Sequence, residues 1–160
     1  MKVAEDLIKD KNRALVSVPR TTTLAEAVAV MKVENVGCLL VADGDALIGI
    51  WTERDLVRDV ASDGFDIASA TIGSYMSHPL ITCQWNDSVY SLVDKFLGLR
   101  IRHLVVSKED AYIGLLSAGD VMKASIRSKD QELAHANAGL SWEYYEEWRH
   151  EQGHIPNAGL

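Results

Sequence analysis

Along this chain, short runs of β-type apolar residues give way to helical periods, and the switch occurs twice in one order. In the first half, Ala14–Val18 reads as a strand and "LAEAVAVMKVEN", from Leu24, as a helix. Cys38–Ala42 and Leu47–Trp51 read as two strands around Asp43-Gly44, a pair suited to a tight hairpin turn. In the second half, Leu80–Cys83 is a strand, "VYSLVDKFLGL" a helix, and His103–Val106 and Tyr112–Leu116 two strands around Glu109-Asp110. Helix starts are marked by Thr23-x-x-Glu26, Thr52-x-x-Asp55 and Ser117-x-x-Asp120, each a capping box, and by Asp87 or Ser88 ahead of Val89. The expected order is β-α-β-β-α, given twice.

The two halves are copies. An offset of 65 takes Gly49 onto Gly114, Thr52 onto Ser117, Asp55 onto Asp120, "CLLVA" onto "HLVVS" and "VSV" onto "ITC". No gap is needed over about 45 residues. The segment 66–79 joins the copies. This divides the chain into a first unit at 1–65, a second at 66–128 and a tail at 129–160. One unit of roughly 50 residues cannot bury both faces of its sheet. The expected fold class is therefore α+β, with two units packed sheet to sheet about a pseudo-twofold axis, helices outside and clefts between the copies.

Charge narrows the partners. Among 160 residues, 23 acids outweigh 16 bases, a net charge of −7, and no basic stripe is visible. That argues against nucleic acid, whereas a small phosphorylated ligand needs only a local cluster of donors. The longest apolar run, "VGCLLVA", is far shorter than the ~20 residues of a membrane helix, so no membrane partner is expected. The N-terminus lacks an apolar signal core, and Cys38 and Cys83 both lie in strand-like runs, so a cytoplasmic protein with free thiols is expected.

Candidate chemistry sits in "GIWTERD" and "GLLSAGD". Gly49 and Gly114 admit close approach, the helix start favours phosphate, and the Thr52 and Ser117 hydroxyls can bond ligand oxygens. Asp55 and Asp120 can accept both hydroxyls of a ribose, as acids do in dinucleotide-binding folds. The competing reading is a plain capping box with no ligand.

These units resemble CBS domains, named for cystathionine beta-synthase, and the tandem resembles a Bateman module of the small stand-alone bacterial type. "IGIWTERDLVR" and "IRHLVV…YIGLLSAGDVMK" carry the resemblance, which covers about residues 1–128. It implies a nucleotide-binding regulatory protein, not an enzyme, that senses AMP, ADP, ATP or a related adenosyl ligand such as NAD or S-adenosylmethionine. It further implies no catalytic cofactor or metal, a homodimer and an unidentified protein target. Asp55 and Asp120 would hold ribose. Thr52, Ser117 and Arg54 would meet phosphate or hydroxyl oxygens, joined across the cleft by Arg102 and His103. Val16, Val18, Ile81, Thr82 and Cys83 would face adenine. On this assignment the Asp55 site collects Arg54, Arg102 and His103 and takes the more highly charged phosphate, whereas the Asp120 site lacks those cations.

Trp51, inside a strand, reads as core. In the tail, Trp142, Tyr145 and Trp148 recur every three residues among acids, as on one helix face. An alternative function is thus a ligand-free dimeric interaction module acting through that aromatic helix. The tail also spells "HEQGH" at 150–154, a zinc-peptidase pattern, but Gly153 and Pro156 interrupt a helix and "IPNAGL" offers no third ligand. The motif reads as chance.

Overall fold

Both hairpins form at the expected turns. The computed structural model describes residues 2–133. The tail features at 134–160, including the aromatic stripe and "HEQGH", lie outside them. The first half contains α1 (Ala4–Lys11), β1 (Ser17–Pro19), α2 (Leu24–Glu34), β2 (Cys38–Asp43), β3 (Ala46–Thr52) and α3 (Glu53–Asp59). The second contains α4 (Ile72–Tyr75), β4 (Thr82–Gln84), α5 (Val89–Leu99), β5 (His103–Lys108), β6 (Ala111–Ser117) and α6 (Ala118–Leu133). The fold is α+β, with two three-stranded sheets ordered β1-β2-β3 and β4-β5-β6. In each sheet the first pair is parallel and the second antiparallel.

The duplication extends to the hydrogen-bond register. Ser17 pairs with Leu40 and Thr82 with Val105, each 65 residues on. The bulge between Val41 and Ala42 recurs between Val106 and Ser107. Gly44 turns the first hairpin at φ 60° and Glu109 the second at φ 54°, a left-handed conformation that costs a glutamate more than a glycine. Thr23 and Ser88 cap α2 and α5, accepting from the Glu26 and Ser91 amides.

The sequence reading missed α1, and α1 changes the division into units. Its apolar residues, Ala4 and Leu7, are buried with Leu92, Leu104 and Leu116 in the core of the second copy. The Ala4 and Glu5 amides donate to the Asp87 and Trp85 carbonyls, both at 2.9 Å. Residues 1–65 are therefore not one packed unit. The reverse exchange holds for the joining segment. Ile72 is fully buried with Trp51 and Leu24 in the first core, and Tyr75 meets Phe65 edge to face at 5.6 Å. An eight-residue helix is unstable alone in water, so α1 exists because another copy's core receives it.

The exchange also gives the strand glycines their role. A Cβ on Gly49 would collide with the Met76 side chain and lie 3.0 Å from the Ser77 carbonyl oxygen. A Cβ on Gly114 would collide with Ile8 of α1. Close approach is needed, as expected, but the group that approaches is the exchanged chain and not a ligand. Trp51 is fully buried, and its indole N–H donates to Asp59 Oδ2 at 3.0 Å.

Candidate functional site

Strands β1 and β4 are shorter than expected because the residues before them leave the sheet. Val16 and Ile81 each keep one bond to the neighbouring strand, accepting from the Leu40 and Val105 amides at 3.0 and 3.1 Å. The backbone freed there lines two clefts between the copies. The 65-residue offset maps one lining onto the other: Arg13 onto His78, Val16 onto Ile81, Asn35 onto Arg100, Gly37 onto Arg102, Cys38 onto His103, Ser117 onto Thr52.

Their sizes differ sharply. The cleft containing Asp55 has a volume of about 540 Å³, and its counterpart near Asp120 about 90 Å³. Ligand pockets run from about 300 to 1,000 Å³, so only the first has room for a nucleotide-sized molecule. The structure brings Thr52, Arg54, Asp55, Ile81, Arg102, His103 and Ser117 together around this larger cleft. It adds His78 and Arg100, which the sequence reading missed. Val16 lines the small cleft, with Ser117 and His103 shared between the two.

Three expected adenine-facing residues do not reach a cleft. Val18 and Cys83 are buried in the first and second cores, and Thr82 lines neither cavity. Alternation would place residues two apart on one face, so the split between Val16 and Val18, and between Ile81 and Cys83, arises because Val16 and Ile81 precede the regular strands, which start at Ser17 and Thr82. Cys38 and Cys83 are both free and buried, and burial pushes their thiols up to about 12 and about 11.

Both acids do close their own helices. Asp55 Oδ2 accepts from the Thr52 amide and hydroxyl, both at 2.9 Å, while the Asp55 amide donates to the Thr52 hydroxyl at 3.3 Å. Asp120 Oδ2 accepts from the Ser117 amide and hydroxyl, both at 2.8 Å. The capping function is thus real at both positions, and the larger cleft is nonetheless open. A carboxylate has about four acceptor sites, which leaves capacity beyond the cap. Asp55 Oδ1 takes one further contact, from Arg58 at 3.1 Å.

Charge around the large cleft is unbalanced. Arg54, Arg100 and Arg102 all line it, and none makes an ion pair or side-chain hydrogen bond among the described residues. By contrast Arg20, Arg58, Lys95 and Lys108 each hold an acid. In a chain of net charge −7, three guanidinium groups set against the carboxylates of Glu53 and Asp55 leave the lining of this cavity locally positive. His103 is not one of its cations. Burial, aided by Lys11, depresses its pKa to about 4, so the imidazole is neutral at pH 7.

Neither Arg54 nor Arg102 lines the small cleft, but it has basic residues of its own that the sequence reading did not place there. Lys11 and Arg13 line it, and Lys11 Nζ donates to Asp120 Oδ2 at 2.7 Å and to the Leu115 carbonyl at 3.2 Å. Burial acts to raise the Asp120 pKa, but the Lys11 ammonium and the Ser117 donors together hold it below the ordinary carboxylate value. No sequence signal marked Lys11, because its placement requires α1 to cross to the other copy. Among the described residues no group of His, Cys, Asp and Glu is arranged to hold a metal, and no helix is long and apolar enough to cross a membrane.

Comparison with known proteins agrees with the duplicated architecture. The CBS domain family model matches residues 4–62 and again 72–127. A mitochondrial CBS domain-containing protein of Arabidopsis thaliana is 35% identical over 127 residues, covering 76% of this chain and 62% of that protein. The match thus spans about three-fifths of that relative's length. Among solved structures, a CBS-domain protein of Agrobacterium tumefaciens superposes with TM-score 0.73 at 32% identity, covering 78% of this chain and 99% of that one. A CBS domain protein of Pyrobaculum aerophilum, complexed with AMP, superposes with TM-score 0.64 at 28% identity, covering 74% and 89%.

Proposed function

The chain belongs to the CBS-domain family, and from that premise we propose that it is an adenine-nucleotide-sensing regulatory protein whose ligand occupies the cleft beside Asp55. The observation that carries this reading is a cavity of about 540 Å³ lined by Arg54, Arg100 and Arg102, none of which is ion-paired among the described residues. The arginines supply phosphate donors, and the Thr52 hydroxyl and the backbone at Ala118 and Gly119 add uncharged polar contacts. Asp55 Oδ1 is the atom left to accept ribose hydroxyls, with Arg58 swinging outward into solvent, where 61% of its side chain already lies. Ile81 offers an apolar surface to the base. The AMP complex of the Pyrobaculum aerophilum relative supports a ligand of this class. ATP, ADP, AMP, NAD and S-adenosylmethionine are the candidates, with a polyphosphate best matched to three arginines.

A homodimer and a protein target belong to the same proposal. Leu97, Met122 and Ile126 stay exposed on the packed helices α5 and α6, which supports self-association there. Thermal melting with the five candidates tests the function. A ligand at about 100 times its Kd should stabilise the protein by about 2.7 kcal/mol, and a flat response to all five would refute the reading.

A further inference from the structure

The two clefts derive from one duplicated pattern, yet one is large and the other nearly filled. What differs is the chain that crosses each. At the small cleft the crossing chain is α1, whose last residue is Lys11. We infer that Lys11 is a built-in occupant of the Asp120 cleft, and that it restricts this chain to one nucleotide where the duplicated fold would provide for two. The inference rests on the nucleotide reading of the Asp55 cleft and extends it to the number of ligands bound.

The geometry at the two acids supports this difference. Asp120 Oδ2 accepts three donors, the Ser117 amide, the Ser117 hydroxyl and Lys11 Nζ, at 2.8, 2.8 and 2.7 Å. Asp55 Oδ2 accepts only the two donors of its own cap. The contacts also come from different directions. Arg58 reaches Asp55 from the next turn of the same helix and does not line the large cleft, whereas Lys11 reaches Asp120 from α1 and itself lines the small cleft. An incoming ribose would have to displace an ammonium that also holds the Leu115 carbonyl.

Lys11 is not free to swing away. Ala4 and Leu7 anchor α1 in the second core, and Ile8 fills the space that Gly114 leaves open. Asn12 closes the helix in a left-handed conformation at φ 44°, its amide bonded to the Ile8 carbonyl at 3.0 Å. The ammonium thus sits at the end of an anchored helix and holds two acceptors, Asp120 Oδ2 and the Leu115 carbonyl, while the chain that crosses the Asp55 cleft places Met76 against the first core, where it lines neither cleft.

Calorimetric titration of ATP and AMP into the full chain and into K11M tests this, because methionine keeps the apolar stem and removes the charge. The wild-type chain should bind one equivalent and K11M two, with the second lost again in K11M/D120N. Substitution D55N in the wild-type background should remove all binding. That variant keeps α1 untouched, so it decides the matter even if K11M folds poorly. Two equivalents in the wild type, one equivalent in a folded K11M, or residual binding in D55N would overturn the inference and leave the nucleotide reading standing. No binding of either nucleotide by the wild-type chain would instead overturn the nucleotide reading, and the stoichiometry with it.

Discussion

Substitution of Arg102 by Ala separates ligand binding from folding. Arg102 is exposed and makes no ion pair or side-chain hydrogen bond among the described residues. Its removal breaks nothing in the free protein, so stability should stay within about 0.5 kcal/mol, the ordinary range for a surface change. The bound state differs. A hydrogen bond to a charged group contributes about 1.5–3 kcal/mol, and an exposed ion pair about 0–1 kcal/mol. A guanidinium on the rim of a half-open cleft lies between, at about 1–2 kcal/mol for one phosphate contact. At about 1.4 kcal/mol per decade, this weakens ATP binding by about 5- to 30-fold. Adenosine, which has no phosphate, should lose less than about twofold. Calorimetry of ATP and adenosine against both proteins, with denaturant melts as the folding control, gives all three quantities. Unchanged ATP affinity, or an equal loss for adenosine, would refute the assignment of Arg102 to phosphate.

Gly49→Ala forces a Cβ against the Met76 side chain and the Ser77 carbonyl oxygen. Overpacking of this kind costs about 1–3 kcal/mol, visible as a lower denaturant midpoint, and a shift below about 0.5 kcal/mol would show that segment 76–77 yields freely. His103 has its folded pKa depressed to about 4 by burial, with Lys11 and Arg102 adding to the effect and Asp120 and Asp55 opposing it. The unfolded chain therefore takes up its proton first. Stability is complete above pH ~6.5 and falls toward pH 4 by at most roughly 3 kcal/mol at about 1.4 kcal/mol per unit. His103→Gln should flatten that slope in pH-dependent melts, and an unchanged slope would place it on other groups. Cys38 and Cys83 are buried and hard to ionise, so neither should react with a thiol reagent at pH 8 until denaturant is added. Rapid labelling of the native protein would contradict their burial.

The sequence alone determined the doubled order of elements, the hairpin turns, the helix caps and the residues that close on each other at Thr52–Asp55 and Ser117–Asp120. These are local: a capping box spans four residues and a hairpin turn two, so composition and spacing within a few residues specify them. The offset of 65 also indicated paired clefts, because a repeated pattern must pack against itself. It did not show which residues before and within β1 and β4 face them. Val16 and Ile81 line cavities while Val18 and Cys83 fill cores, a split set by where each strand meets its sheet. Nor did it show that α1 and the joining segment trade cores, since neither carries a periodic pattern strong enough to announce a partner. That exchange is a tertiary event, stabilised by burial of Ala4, Leu7 and Ile72 far along the chain from their neighbours. It alone delivered Lys11 to Asp120, 109 residues away, and so made unequal two clefts that the sequence had written as a pair.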